Sequence, residues 1–260
     1  MKTMYIDCGM GAAGDMLTAA LLELLPEAER QTFIEEFNAL GLPGIQMSAA
    51  PMEKCGVAGT HVTITVYGEE EGELMHDHGH THEHTHSHHH AHNGMADIAH
   101  IVRDHTDLPD RIKDDIMNVY GIIADAESRV HGEPVTEIHF HEVGTMDAVA
   151  DVTAVCMLMD RLAPDRVVAS PVNPGSGTVK CAHGILPVPA PATALILEGI
   201  PTYSNEIRSE LCTPTGAALV RYFAEEFGDM PEIEVTATGF GMGKKDFEVA
   251  NCVRITTGGN

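Results

Sequence analysis

The chain has 260 residues, of which 43% are hydrophobic, so it can fill a sizeable core and is not a disordered tail protein. Its 15 Lys and Arg residues stand against 39 Asp and Glu, and the resulting formal charge of −24 repels phosphate backbones, so nucleic acid is not expected as a partner. No apolar run reaches membrane-spanning length and no signal-like stretch opens the chain, so we expect no membrane partner and a cytoplasmic protein.

The first part of the chain is predicted to alternate strands with helices. Residues 1–7 are short and apolar like a buried strand, and a glycine-rich turn follows them. Leucine and alanine then recur with helical spacing until Pro26, which ends that helix. That first helix is expected over residues 15–25. A second helix is expected over 27–40, and a half-buried strand over 61–68.

Residues 69–95 have no apolar periodicity and are predicted to form a flexible loop. Ten of the 17 histidines fall in it: His76, His78, His80, His82, His84, His86, His88, His89, His90 and His92. Neutral imidazole binds nickel, copper and zinc, so the tract is a candidate metal site. Because it offers many equivalent geometries, we expect it to collect or buffer metal rather than hold a reacting group. The alternative is a solvated tract with no selected role.

After the loop, helical spacing returns and short strands are interspersed. Pro109 and Gly132 bound a long predicted helix, and Thr213 with Pro214 is typical of a helix start. The expected elements are helices over 98–105, 108–132, 147–162 and 213–228, a helical stretch after the prolines of 185–200, and strands over 137–143, 167–172, 232–243 and 251–258. The pattern predicts an α/β fold, a mixed sheet with flanking helices, interrupted by a disordered His-rich loop.

The stretch EIHFHEVGTMDAVAD is a candidate centre for one divalent ion. In an extended chain His139 and His141 project from one face, and in the helix that follows Asp147 and Asp151 share a face. Two imidazoles and two carboxylates could therefore meet at the junction with positions open for a substrate. Alternatively, Asp147 favours the helix dipole and the histidines pack in the core.

Cysteine usage indicates free thiols, because six cysteines lie far apart without a CxxC pair. Cys181 and His183 would face the same way on an extended chain, which suits a soft-metal ligand pair or an activated thiolate. Equally, Cys181 could be a small buried hydrophobe.

Three glycine- or threonine-rich turns are candidate anion-binding sites, since glycine admits close approach and helix N–H groups favour phosphate. The candidate residues are Asp7, Gly11, Gly14 and Asp15 in the first turn, Gly175, Ser176 and Gly177 in the second, and Thr213 and Thr215 in the third. Together they suggest a mononucleotide held by backbone amides. Tight structural turns and helix capping are the alternative explanations.

The same stretches resemble one family, the nickel-insertion proteins that complete the nickel-pincer nucleotide cofactor of lactate racemase. The likeness runs from Met1 to about Ile255. It is carried by DCGMGAAGDM, the histidine tract, RVHGEPVTEIHFHEVGTMDAVAD, ASPVNPGSGTVKCAHGILPVPAPATALIL, ELCTPTGAAL and GFGMGKKDFEVANCVR.

The resemblance implies a nickel-dependent cyclometallase that inserts nickel into pyridinium bisthiocarboxylic acid mononucleotide. The family couples this to hydrolysis of CTP to CMP and pyrophosphate, with manganese or magnesium assisting. It also implies that residues 1–260 are the N-terminal, nickel-handling region and that the family's C-terminal CTP-binding domain is absent from this chain. Expected partners are that companion domain or chain, the lactate racemase apoprotein and a second copy of the chain.

Within that reaction, His141 is the candidate base and Asp147 the other candidate catalytic residue. Two other functions fit the residues. A non-enzymatic nickel carrier would need the histidine tract alone, and a metal-dependent hydrolase of small phosphorylated compounds would use the histidine and aspartate cluster.

Overall fold

A computed structural model describes residues 1–70, 94–138, 140, 143–181 and 183–259. Over these residues eight strands form one mixed sheet, and a separate hairpin joins β6 (Thr178–Cys181) to β7 (Gly184–Pro187). The sheet order is β2 (Ile45–Lys54), β3 (Val57–Val66), β9 (Glu234–Met242), β10 (Cys252–Gly259), β1 (Lys2–Asp7), β5 (Arg166–Ala169) and β8 (Glu226–Phe227), with β4 (Glu69–Glu70) also on β3.

The sheet mixes parallel and antiparallel pairs. The parallel pairs are β1 with β5, β5 with β8, and β3 with β9, whereas β1 with β10, β9 with β10, and β2 with β3 are antiparallel. The flanking helices are α1 (Gly14–Glu23), α2 (Glu27–Asn38), α3 (Met95–Asp104), α4 (Asp110–His131), α5 (Met146–Leu162), α6 (Pro191–Ile196) and α7 (Pro214–Phe223). The predicted α/β fold with a mixed sheet and flanking helices is confirmed.

The core is centred on β1 and the two helices α1 and α5. Residues 3–6 of β1 are all buried, which explains why this strand shows no polar alternation. The apolar residues of α1 pack on β9 and β3 on one side and on α5 on the other. This arrangement holds Gly14, the first residue of α1, against Asp151 in the second turn of α5.

Several local predictions are confirmed by the structure. Pro26 separates α1 from α2, and α4 ends at Gly132, whose φ is +69°. Thr213 caps α7, since its side-chain oxygen accepts a hydrogen bond from the Gly216 N–H at 3.1 Å. In the described part of the chain, no helix is long and apolar enough to span a membrane.

Other predictions are wrong. The segment 137–143 is not a strand at its described residues; Ile138 and Phe140 are instead buried, and the Phe140 ring lies 6.0 Å from that of Tyr120. Strand β2 was not predicted. It contains Pro51, which is tolerated because, among the described residues, β2 pairs with β3 alone and lies at the sheet edge. Helix α7 ends at Phe223, before Gly228.

The two ends of the predicted histidine loop, residues 69–95, belong to regular elements. Glu69 and Glu70 belong to β4, and Met95 begins α3. Residues 71–93, with the ten histidines, lie outside the described residues.

Candidate functional site

The three turns that the sequence marks as anion-binding candidates pack against one another. We call them the glycine cluster: residues 8–14, 173–177 and 208–216. An isolated parallel bridge joins Ala12 to Cys212, and an antiparallel one joins Gly175 to Glu210. Segments far apart in the chain therefore meet beside the start of α1.

Asn173 links two of these turns from a fully buried position. Its Nδ2 donates to the carbonyl oxygen of Gly9 at 3.0 Å, and its Oδ1 accepts from the N–H of Gly175 at 3.1 Å. One side chain thus satisfies a backbone acceptor and a backbone donor that would otherwise lack partners.

Two glycines are required by how closely the turns approach. Gly11 has φ +82°, and a Cβ placed on it would lie 1.9 Å from the Leu211 carbonyl oxygen. Gly175 has φ +91°, and its Cβ would lie 1.9 Å from the Ser209 carbonyl oxygen. These residues therefore have a structural reason to be glycine, independent of any ligand.

Several N–H groups of the glycine cluster already donate to protein acceptors. The pairs are Gly9 to Asp7 Oδ1 (3.0 Å), Gly11 to the Cys8 carbonyl (2.9 Å), Ser176 to the Ser209 carbonyl (3.2 Å) and Gly216 to Thr213 Oγ1 (3.1 Å). An anion reaching the cluster would find these donors engaged. That the turns bind phosphate stays a prediction.

The other predicted residues of these turns form hydrogen bonds within the protein or are buried in it. Asp7 accepts from Arg254 on β10 at 2.5 Å. The Ser176 hydroxyl donates to the Ile207 carbonyl at 2.8 Å, and the Gly177 carbonyl accepts from the Val188 N–H at 3.0 Å. Thr215 is buried in the first turn of α7.

The predicted acidic residues of α1 and α5 do come together. A Cβ on Gly14 would lie 2.3 Å from Asp151 Oδ2, so the Asp151 carboxylate lies against the backbone of the first residue of α1. Asp15 follows directly, and its Oδ1 accepts from the N–H of Met16 at 2.8 Å. Helix α5 thus contributes a carboxylate next to the acidic start of α1.

Five ionisable side chains are linked by electrostatic interactions with Asp15 or Lys244, and we call them the charged cluster: Asp15, His61, Glu70, Asp147 and Lys244. The Lys244 ammonium donates to Glu70 Oε2 at 2.8 Å. Burial disfavours that ammonium, but Glu70, Asp15 and Asp147 outweigh the effect and raise the pKa of Lys244. The hydrogen bond from Lys244 in turn lowers the pKa of Glu70.

Asp15 has the opposite perturbation to Glu70. Burial raises the pKa of the Asp15 carboxyl, and the Met16 N–H, His61 and Lys244 offset this only in part. The carboxyl is therefore held where its charged form is disfavoured, which is common at functional sites.

His61 is buried on β3, and its Nδ1 lies 2.8 Å from the Met242 carbonyl oxygen. A carbonyl only accepts, so Nδ1 carries the hydrogen and Nε2 of the neutral ring is an acceptor. The ring is thus oriented with a nitrogen that could take a proton or bind a metal.

The second predicted metal pair, Cys181 and His183, lies at the end of the β6–β7 hairpin. Cys181 is half-buried and pairs with Gly184, while His183 is exposed. The His183 ring lies 5.1 Å from the ring of His131, whose Nε2 is 3.3 Å from Glu127 Oε2. Among the residues that the structure covers, no three His, Cys, Asp or Glu side chains are arranged to hold a metal ion.

Two of the four residues of the first predicted nickel site are outside the structure's description, whereas Asp147 and Asp151 are described. His139 and His141 lie outside the described residues, as does the histidine tract from His76 to His92. Their proposed roles stay predictions.

Three cysteines are fully buried, and burial raises their thiol pKa values. The pKa of Cys212 rises to about 12, and those of Cys8 and Cys156 are also raised well above their ordinary value. Cys8 and Cys212 lie inside the glycine cluster, where they stay protonated and serve as small apolar side chains.

His61 and Lys244 are the functional candidates that the sequence did not reveal. Alternation in the strand from His61 placed every second side chain on one face but did not show which face is buried. Lys244 follows two glycines in the stretch GMGKKDF, and this glycine-rich context was the one feature of the sequence that could have marked it as a candidate.

Comparison with known proteins gives a consistent result. A family model described as nickel insertion protein matches residues 4–260. The chain is 38% identical over 259 residues to a protein of Clostridium kluyveri, 35% over 258 residues to one of Desulfitobacterium hafniense, and 36% over 251 residues to one of Staphylococcus saprophyticus. All three are named pyridinium-3,5-bisthiocarboxylic acid mononucleotide nickel insertion protein.

These matches cover 96–99% of this chain but only 58–62% of each relative. The chain therefore spans about three-fifths of the length of the relatives it matches. No solved structure matches it.

Proposed function

Since the chain belongs to the nickel insertion protein family, we propose that it inserts nickel into pyridinium-3,5-bisthiocarboxylic acid mononucleotide. The observation that carries this proposal is the match of 96–99% of the chain to three relatives named for that activity. The product would be the nickel-pincer nucleotide, which the lactate racemase apoprotein would receive. The reaction would take place in the cytoplasm.

The chemistry requires two nickel–sulfur bonds and one nickel–carbon bond. Each thiocarboxylate sulfur donates an electron pair to Ni²⁺. At the pyridinium carbon between them, the carbon–hydrogen bond breaks, its electron pair forms the nickel–carbon bond, and the proton passes to a base. No electrons are gained or lost, so the reaction needs no oxidant or reductant. The protein must supply a nickel site, a base for the proton and a docking site for the nucleotide.

We assign the nickel site first to His139, His141, Asp147 and Asp151, and second to Cys181 with His183. The contact of Asp151 with the start of α1 supports the first assignment, because it places a carboxylate next to the charged cluster. His141 would be the base. His61 is a second candidate base, since its Nε2 is an acceptor in the neutral ring.

The charged cluster supports a proton-transfer role for this end of the sheet. The half-buried Asp15 has a raised pKa, and Lys244 interacts with the carboxylates of Glu70, Asp15 and Asp147, whose charge it can compensate. Groups with perturbed pKa values close to a candidate metal site are typical of acid–base chemistry.

We further propose that CTP hydrolysis drives insertion, with manganese or magnesium bound alongside CTP by a C-terminal companion domain or chain. The decisive experiment is an insertion assay with this chain, Ni²⁺, CTP, Mg²⁺ and the mononucleotide, with and without the companion domain. Activation of lactate racemase apoprotein is the measurement. If nickel is bound but no active racemase forms under either condition, the chain is a nickel carrier, for which the histidine tract would suffice.

The nickel assignment has its own test. Replacing His139 and His141 together with Ala should abolish insertion while the melting temperature stays within a few degrees of the parent. Unchanged insertion by this variant would exclude the first nickel site and favour Cys181 with His183.

The histidine tract is proposed to collect nickel. Deleting residues 76–92 should lower the amount of nickel bound per chain more than it lowers turnover at saturating nickel. Turnover that disappears and is not restored by added metal would rule out a buffering role.

A further inference from the structure

The Lys and Arg side chains divide into groups according to what they contact. The largest group forms ion pairs with Asp or Glu, as expected in a chain with 39 acidic residues and 15 basic ones. These eight are Lys54, Arg103, Arg111, Arg129, Arg161, Arg166, Lys244 and Arg254.

A second group caps the C-termini of helices, where carbonyl oxygens lack intrahelical partners. Four helices are capped in this way: α5 by Lys2 at the Leu162 carbonyl (2.5 Å), α1 by Arg30 at the Glu23 carbonyl (2.7 Å), α3 by Lys113 at the Arg103 carbonyl (2.9 Å) and α6 by Arg221 at the Ile196 carbonyl (2.7 Å). Both groups thus have a structural role.

Three basic residues remain, Lys180, Arg208 and Lys245, and all three are exposed. Within the described ranges they form no ion pair and cap no helix. Lys245 donates only to neutral groups, Ser209 Oγ at 3.1 Å and the Glu210 carbonyl at 3.4 Å. These three residues therefore differ from the other twelve Lys and Arg residues, each of which either pairs with a carboxylate or caps a helix.

Arg208 and Lys245 lie at the glycine cluster, and Lys180 is on β6, the strand that begins directly after Gly177. The bridge of Gly175 with Glu210 sets Arg208 opposite Gly177, and a Cβ on Gly177 would lie 3.5 Å from Arg208 Cβ. Lys245 reaches Ser209, the neighbour of Arg208, and Lys180 follows Gly177 on β6.

We propose that Lys180, Arg208 and Lys245 bind the phosphate group of the mononucleotide substrate. The inference rests on the proposed function for the identity of the ligand, but the cation site itself rests on the structure alone. It differs from the sequence-based expectation that backbone amides hold the phosphate.

The chemistry of the site favours a phosphate monoester. Such a group carries a charge of about −1.5 to −2 at neutral pH. Arg binds phosphate through a planar fork of donors and Lys as a point charge, so this set can replace much of the phosphate's hydration. The N–H groups of Gly175 and Ser176 already donate to Asn173 and Ser209, so the proposed binding relies on the charged side chains rather than on these two amides.

The test compares two probes that differ only by the phosphate, nicotinamide mononucleotide and nicotinamide riboside, by calorimetry with the parent chain. The mononucleotide should bind at least about tenfold tighter, and the difference should shrink as salt is raised. Replacing Lys180, Arg208 and Lys245 with Met should remove the difference. Arg103→Met is the matched control, since it removes one exposed charge from an ion pair with Asp114 and should leave binding unchanged.

Several results would overturn the proposal. These are equal binding of the two probes to the parent chain, an unchanged difference in the triple variant, or the same loss in Arg103→Met. CTP is the third probe. If CTP binds more tightly than the mononucleotide and only its binding depends on these cations, the site belongs to CTP and the assignment is wrong.

The insertion assay separates this proposal from the proposed function. If the site is correct, the triple variant should raise KM for the mononucleotide with little change in kcat. Insertion with an unchanged KM would refute the site and leave the function intact. Phosphate-dependent binding without any insertion by the parent would refute the function and leave the site intact.

Discussion

The glycine cluster and the charged cluster adjoin at the start of α1 but are stabilised in opposite ways. In the glycine cluster, neutral groups satisfy one another, as Asn173 does with Gly9 and Gly175. In the charged cluster, desolvation raises the pKa of the half-buried Asp15 carboxyl, so its ionised form opposes folding. The glycine cluster is therefore a scaffold, whereas the charged cluster keeps a destabilising charge, as functional sites commonly do.

The largest effect should come from filling the space between two turns of the glycine cluster. Gly11→Ala would add a Cβ 1.9 Å from the Leu211 carbonyl oxygen at a φ of +82°. We expect a loss of about 4 kcal/mol in the free energy of unfolding, measured by urea denaturation.

Gly56→Ala is the matched control for Gly11. Gly56 has φ +78°, but no atom lies within 4 Å of its added Cβ, so only the backbone strain of about 1 kcal/mol should appear. Equal losses in the two variants would show that close approach of the turns does not matter.

Removing the Asn173 side chain, which links two turns of the glycine cluster, should lower the free energy of unfolding by a smaller but still large amount. Asn173→Ala leaves the Gly9 carbonyl and the Gly175 N–H without their partner. With each unsatisfied group costing about 1–3 kcal/mol, we expect about 3 kcal/mol in total. Exposed Asn205 makes a similar local bond to the Ile207 N–H, and Asn205→Ala should cost less than about 1 kcal/mol because water can replace it. Comparable losses in the two variants would show that the buried hydrogen bonds of Asn173 contribute no more to stability than an exposed one.

The smallest expected change in stability is an increase rather than a loss, and it comes from a substitution in the charged cluster. Because the folded state raises the pKa of Asp15, the native protein binds this proton more tightly than the unfolded chain, and stability falls as pH rises through that interval. Asp15→Asn should therefore stabilise the protein, more at about pH 8 than at about pH 4. Thermal melting across this range is the measurement.

Exposed Asp107 provides the control for Asp15, and Asp107→Asn should leave the melting temperature unchanged at every pH. If the Asp15 variant is destabilised near neutral pH, the carboxylate contributes to the fold and the contrast between the two clusters is wrong.

Local chemistry in the sequence predicted much of the fold, and tertiary contacts account for what it missed. Pro26, Gly132 and the Thr213 cap set helix boundaries by effects within a few residues, so they could be recognised directly. The edge position that makes Pro51 acceptable in β2 depends on the order of strands, which the sequence did not give.

The candidate site shows the same limit. Asp15 was identified from its place in a glycine-rich turn, but its neighbours His61 and Lys244 come from β3 and from the segment after β9. The turns of the glycine cluster were each identified, but their meeting depends on long-range pairing between Ala12 and Cys212. Residue patterns indicate the chemistry of single segments, whereas the sheet decides which segments meet.

The buried thiols have a consequence for the proposed insertion of nickel, an ion that binds thiolate sulfur. Metal capture by cysteine requires loss of the thiol proton, and the pKa of Cys212, raised to about 12, makes that loss costly at cellular pH. Cys8 is sealed from solvent in the same region. Around the proposed docking place, the substrate's own sulfur atoms would therefore meet nickel without competition from these two side chains.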